Sequence, residues 1–316
     1  MNTRADILTT ICRDVTRVNL VCADPGATDL LRRIEPELQR IIPETEIYAE
    51  GWALKNIESL TVNPFSLKAI TAHGLGSTLW IGARMDFART REIIAGCQES
   101  GVRTIFLFDH WKHYTEHFLD PKTYETIIPD HILVPDELAE KALAAAWKAE
   151  PELAAKLPSA DIKVFGHPAI EASCREIAEI GSRQPASTGN QAVLFLDPCP
   201  PGGNIGYTVF DVIEFLAHWL PENRPGVRVL VKPHPRQSPA LTDKDFVSWD
   251  AAGIGYELSY LPVSELIAGC REVYGMTSIT LIIASKAGKP VVSFQPGRNH
   301  AGKLESNPHL ERFVIS

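Results

Sequence analysis

The sequence predicts an α/β protein: two Rossmann-like βαβ domains facing each other across a cleft. Three observations carry that prediction. Strand-like apolar runs alternate with helix-like segments along nearly the whole chain, as in parallel sheets wrapped by helices. Runs such as "TIFLF" and "AVLFL" are continuously apolar, the signature of strands buried on both faces. The alternation pauses once, in "IAEIGSRQPASTGNQ", and then restarts; Gly, Ser, Pro, Thr and Asn crowd there as in a linker. At 316 residues the chain is also too long for the usual single core. The domains are expected at 1–166 and 191–316, with a hinge over 167–190 that opens on "GHPAIE".

In order, a helix is expected over Ala5 to Asp14, then the strand "VNLVCA", then a small-residue turn at Gly26 and Ala27 that starts the next helix. This strand–turn–helix unit opens a doubly wound sheet. "EIYAEG", "STLWIGA", "RTIFLFDHW", "HILVPD" and "DIKVF" read as further strands of the first domain, with helices in "ARTREIIAGCQESG" and "ELAEKALAAAWKAE". In the second domain "AVLFLDP", "GVRVLVKP", "IGYELS", "EVYGM" and "PVVSFQPG" read as strands. Helices are expected in "YTVFDVIEFLAHWL", "PVSELIAGC" and "SITLIIASKAG". Ligands of such sheets sit beyond the carboxyl ends of the strands, and the cleft between two such domains is the default site.

Composition narrows the function classes. The net charge of -8 argues against non-specific nucleic-acid binding. No apolar run approaches the ~18 residues of a membrane span, so any membrane contact is expected to be peripheral. The N-terminal stretch carries Arg4, Asp6, Arg13 and Asp14, unlike a signal peptide. Six cysteines are scattered without a CxxC pair, which fits reduced thiols in a cytoplasmic protein and no zinc site. No cofactor is expected.

The most informative stretch is "VLVKPHPRQSP". Prolines on both sides of His234 remove two donors and hold the backbone extended, so the strand must stop there. The loop then presents Lys232, His234, Pro235 and Arg236 at a strand's carboxyl end. Another strand of the same sheet ends in "YGMTS", where Gly275 turns the chain and Thr277 or Ser278 caps a helix whose free N–H groups favour an anion. Together the two loops offer cations and fixed dipoles to a phosphate; singly, they read as a rigid turn and an ordinary capped helix.

These residues resemble the nucleotide-binding half of GT-B-fold glycosyltransferases. They are most similar to bacterial surface-carbohydrate enzymes of the sialyl-, polysialyl- and Kdo-transferase groups. There a His-Pro motif and a Ser/Thr pair hold a CMP-activated sugar, which implies His234 and Pro235 for the one and Thr277 and Ser278 for the other. "GKPVVSFQPG" resembles a segment of UDP-sugar epimerases. The resemblance covers the last third of the chain well and the first half loosely. The acidic-acidic-Gly motif of those sialyltransferases does not occur here. The nearest segment is "FLFDHWKHYTEHF", which resembles part of uncharacterised polysaccharide-biosynthesis proteins.

In that segment Asp109 and His110 follow a buried strand, where either has the chemistry to take a proton from an acceptor hydroxyl. Trp111 and Tyr114 offer rings for stacking on a sugar or base. The bland reading makes Asp109 a helix N-cap and Trp111 an anchor. His110, His113 and His117 would share a helical face, but lack the further ligands of a metal site. In "CADPGATDLL", Gly26 allows close approach to the backbone, and Asp24 or Asp29 could contact a hydroxyl. In "LDPCPPGGNIGYT", Gly202, Gly203 and Asn204 could bring N–H groups to a pyrophosphate or sugar. Cys199 has no histidine placed to activate it, and His167 reads as structural.

The expected function is metal-independent transfer of a sugar, a CMP-linked acidic one by the resemblance. The nucleotide-sugar is the donor, and a bacterial glycan, lipid or protein the acceptor. Asp109, His110 and His234 are the catalytic candidates, with Lys232, Arg236, Gly275, Thr277 and Ser278 on the phosphate side. Asp24, Gly26, Trp111, Gly203 and Asn204 are expected on the sugar side. The alternatives are a nucleotide-sugar 2-epimerase or hydrolase, with Glu305 a further carboxylate, or a non-catalytic subunit of a glycan-assembly complex.

Overall fold

The computed structural model describes residues 3–57, 62–83, 86–183, 189–198, 206–234, 237, 239–296 and 308–315. The chain forms two compact units, Met1–Ala169 and Ile170–Ser316.

In the first unit the strands are β1 (Arg17–Cys22), β2 (Thr45–Ala49), β3 (Val62–Pro64), β4 (Ser77–Gly82), β5 (Arg103–Leu107), β6 (His131–Val134) and β7 (Ile162–Val164). Among the described residues they form one parallel sheet in the order β3-β2-β1-β4-β5-β6-β7. Helices α1 (Arg4–Ile11), α2 (Pro25–Ile41), α3 (Gly51–Asn56), α4 (Leu67–Thr71), α5 (Phe87–Glu99), α6 (Glu137–Ala149) and α7 (Pro151–Ala154) link and flank the strands. Every residue of β4 is buried, as expected for a central strand covered on both faces. The direction in which the chain adds strands reverses between β1 and β4, which pair with Leu20 opposite Trp80. Leu30, Leu31, Ile34 and Leu38 of α2 pack on β1 in the main core.

Helix α8 (Pro168–Arg183) follows. The second sheet comprises β8 (Gln191–Phe195), β9 (Arg228–Lys232), β10 (Gly255–Leu258), β11 (Glu272–Gly275), β12 (Val291–Phe294) and β13 (Val314–Ile315), all parallel in the order β10-β9-β8-β11-β12-β13. Its helices are α9 (Val209–Asn223), α10 (Val247–Ala251), α11 (Val263–Gly269) and α12 (Ile279–Lys286). Thr208 and Asp211 form a reciprocal capping box at the start of α9, satisfying donors the helix leaves orphaned.

The predicted βα alternation is present in both units, with differences at the irregular places. The stretch 167–190, expected as a hinge, holds the sixteen-residue helix α8, and the division between units falls inside its first turn. Pro168 begins that helix, where its missing N–H costs nothing. Strands β3 and β13 have three and two residues, too short for a periodic signal. Residues 109–118 are bends and turns rather than a helix. His113 sits there at φ 62°, a left-handed conformation no helix contains. Asp109 is therefore not a helix cap, and His110, His113 and His117 share no helical face. Among the described residues, no helix is long and apolar enough to cross a membrane.

Candidate functional site

The predicted site residues fall at the carboxyl edges of the two sheets. In the first unit β5 passes directly into Phe108 and Asp109. Phe108 N–H still donates to the Leu133 carbonyl at 2.9 Å, so the strand's pairing reaches the residue before Asp109. The Asp109 carboxyl is largely buried, its side chain 14% exposed, and its Oδ1 has no hydrogen-bond partner. Its Oδ2 lies over the first turn of α2: a Cβ on Gly26 would fall well inside contact distance of that oxygen. Gly26 thus makes room for Asp109. The same helix start is pressed onto β4, since a Cβ on Gly82 would overlap the Ala27 methyl.

Burial pushes the Asp109 carboxyl up to about 6, and the Asp24 charge adds to the rise, against a lowering by His167 and the Asp109 backbone. Asp24 and Gly26 are exposed, so the carboxyl adjoins open surface. His110 is pushed down to about 4, first by burial and then by His113 and Lys112. Its Nδ1 is buried without a partner. Its Nε2 stands 3.6 Å from Asp109 Oδ1, too far for a hydrogen bond. Asp109 ionises above the pH at which His110 loses its proton, so the two do not form an ion pair. A buried carboxyl with an unsatisfied oxygen is costly, and perturbed groups of this kind gather at functional sites.

The neighbouring candidates serve the scaffold. Trp111 is 4% exposed, stacks on His167 at 5.7 Å and 11°, and donates its indole N–H to both Asp136 oxygens at 3.0 Å. It presents no ring face for a sugar, because the hydrogen bond and the stack turn it inward. Tyr114 is also buried, against Phe108. His113 pairs with Glu116 at 3.1 Å, holding that carboxylate down to about 2. His117 is fully buried among Phe106, Phe108 and Phe118. Asp29 pairs with Arg33 along α2. Among the described residues no group of three His, Cys, Asp or Glu is arranged to hold a metal ion.

In the second unit the ends of β9, β8 and β11 lie side by side. Lys232, the last residue of β9, donates Nζ to the Leu261 carbonyl at 2.8 Å, and burial lowers its pKa. His234 is half-buried, and its carbonyl accepts the Gln237 N–H at 2.8 Å. Gly275 ends β11 with its α-carbon close to the Phe195 carbonyl, where a Cβ would lie 3.1 Å away. Ser278 caps α12, its Oγ accepting from Thr280 N at 3.3 Å.

Thr277 holds the surprise. Its N–H and Oγ1 both donate to Asp197 Oδ2, at 2.7 and 2.9 Å, so a carboxylate already occupies the Thr277 donors expected to meet phosphate. Asp197 N–H in turn points at the Met276 sulfur, 3.3 Å away. Sequence reasoning missed Asp197, although one signal was there: like Asp109 it is the first charged residue after a buried strand. Pro235, Arg236, Cys199, Gly202, Gly203, Asn204 and Glu305 lie outside the described residues.

No protein-family model and no curated protein matches the sequence. Solved structures do match its fold. UDP-GlcNAc 2-epimerase from Neisseria meningitidis bound to UDP-GlcNAc is 15% identical, covering 92% of this chain and 87% of its own at a TM-score of 0.53. MnaA from S. aureus, solved with UDP, is 12% identical over 88% of this chain and 79% of its own, at 0.54. A UGT transferase from Siraitia grosvenorii in complex with UDP is 13% identical over 88% and 80%, at 0.50. At these identities the likeness shows the fold: two parallel α/β units of the GT-B type.

Proposed function

We propose that the protein is a glycosyltransferase that moves a sugar from a nucleotide donor to an acceptor hydroxyl. The carrying observation is Asp109, a buried carboxyl raised to about 6 that lies against the exposed Gly26 turn. In this reading the second unit binds the donor's phosphate through Lys232, His234 and the Ser278-capped start of α12. The first unit supplies the base. The acceptor O–H proton passes to the Asp109 carboxylate, the acceptor oxygen bonds the anomeric carbon, and the anomeric C–O bond to phosphate breaks. The departing pair stays on the phosphate, stabilised by the Lys232 cation and helix N–H groups. Asp109 must be ionised to act, so turnover rises with pH through about 6 and levels off above it.

The GT-B-type fold and neighbours solved with UDP or UDP-GlcNAc support a nucleotide-sugar. The CMP-linked acidic sugar rests on the His-Pro and Ser/Thr resemblance. A second reading, epimerisation, is favoured by the same carboxyl, which could take a proton from a sugar carbon instead of a hydroxyl; one of the neighbours above is named a UDP-GlcNAc 2-epimerase.

A thermal-shift panel of CMP, UDP, GDP, CDP and their sugars, on wild type and His234→Ala, tests the reading. A ligand that binds only the native state raises its melting temperature. One nucleotide class should do so and lose the effect in the variant. Turnover of the corresponding sugar, abolished by Asp109→Asn, separates an enzyme from a binding subunit. Release of the nucleotide separates transfer from epimerisation, which leaves the donor intact. No shift with any nucleotide would sink the proposal.

A further inference from the structure

We infer that His167 is a positioning residue for Asp109, acting at the end of a hydrogen-bonded and stacked chain that begins at the start of α6. This rests on the reading of Asp109 as the base; the geometry itself stands without it.

The chain starts at Asp136, whose Oδ1 accepts the Ala139 N–H at 2.9 Å and so caps α6. Both Asp136 oxygens accept the Trp111 indole N–H at 3.0 Å, which fixes the plane of the indole. The His167 ring lies flat on it, 5.7 Å between centroids and 11° from parallel. Its Nε2 is 3.0 Å from the Asp109 carbonyl oxygen. A carbonyl only accepts, so Nε2 carries the proton. Burial lowers the His167 pKa, and the Nε2–H donates to the carbonyl whether the ring is neutral or protonated.

Asp109 is thereby held from several sides. The Phe108 N–H before it is bonded to Leu133, its own carbonyl is bonded to His167, and its carboxyl is stopped by the Gly26 turn. The loops after β1, β5, β6 and β7 all contribute. A carboxyl with an unpartnered buried oxygen turns towards water when its backbone is released, because nothing in its own bonding keeps it inside. Removing the His167 bond releases that backbone. The charged and titratable groups facing Asp109 are Asp24 from the α2 loop, His110 beside it, and His167 itself.

The test is a carboxyl ¹³C NMR titration of Asp109 in the full chain, assigned with Asp109→Asn. Wild type should titrate near about 6. In His167→Ala the midpoint should fall towards the ordinary aspartate value of about 3.9, because the released carboxyl hydrates. His167→Gln, which restores an N–H donor, should keep it near wild type. Trp111→Phe, which keeps a smaller aromatic ring for the stack but loses the indole N–H, should give a smaller fall and serves if His167→Ala does not fold. A rise in His167→Ala would mean that His167 acts only as a neighbouring positive charge; that result, or an unchanged midpoint, overturns the inference. The titration needs no substrate. If Asp109→Asn retains turnover, the base reading fails while the positioning result stands.

Discussion

Two aspartates follow closely similar strands. "RTIFLFD" ends in Asp109 and "QAVLFLD" in Asp197, each two residues beyond a β-strand in the middle of a parallel sheet. Their surroundings differ. Asp197 receives two hydrogen bonds from Thr277 on the next strand's turn. The Asp109 carboxyl is stopped by the α-carbon side of Gly26 and keeps an oxygen without a hydrogen-bond partner. The strand delivers a carboxylate to the sheet edge in both units; the neighbouring loop decides whether it is tied down or left reactive. The proposed roles follow the same contrast, with Asp197 ordering the turn before α12 and Asp109 proposed as the base.

The sharpest test exchanges each carboxylate for its amide. Asp109→Asn should lower turnover about 10²- to 10⁴-fold, the usual worth of a positioned base, with nucleotide affinity unchanged. Asp197→Asn keeps an acceptor oxygen for Thr277 and should cost less than about tenfold in turnover, roughly 1.4 kcal/mol. Steady-state kinetics on both variants decide it, and equal losses would erase the distinction.

Stability should move the other way. Asp109 is raised in the folded chain, so its protonated form favours folding. That contribution is complete below the unfolded value and is lost as pH rises through about 6. Ionised Asp109 therefore costs about 3 kcal/mol at pH 8, at 1.36 kcal/mol per pKa unit. Asp109→Asn should be more stable than wild type by up to about that amount at pH 8, with the gain vanishing near pH 4. Denaturant unfolding at the two pH values measures it, and an Asp109→Asn chain less stable at pH 8 would contradict the burial argument.

Gly26→Ala should displace the Asp109 carboxyl by about an ångström and lower turnover about 10²-fold, while a nucleotide's thermal shift persists. Smallest is Asp197→Ala, which leaves the Thr277 donors unmatched. It should lower unfolding free energy by about 1 to 3 kcal/mol, read from the urea midpoint. A loss confined to catalysis, with stability untouched, would reverse the roles of the two aspartates.

The sequence was informative where one strand or one turn sufficed. The apolar runs marked the central strands, and Pro233 ended β9 at Lys232, as the described structure shows. Gly26 announced a close approach to the backbone, though what approaches it is Asp109 of the same chain. His110, His113 and His117 have helical spacing, yet the 109–118 segment is not a helix. Burial of the Phe108, Tyr114, His117 and Phe118 rings and the left-handed His113 are tertiary outcomes that spacing does not encode.

What the sequence determined by itself is the alternation of buried strand and helix in two parallel units, because hydrophobic period and turn chemistry are local properties. It also determined which polar residues stand at strand ends, since chain order fixes that once the strands are known. Only the tertiary structure decided which of them meet. Asp197 faces Thr277 across 80 residues, Asp109 reaches Gly26 because β4 alone separates their strands, and His167 reaches Asp109 across 58. These pairings follow from strand order and loop packing, and they set each carboxyl's hydration and so its chemistry.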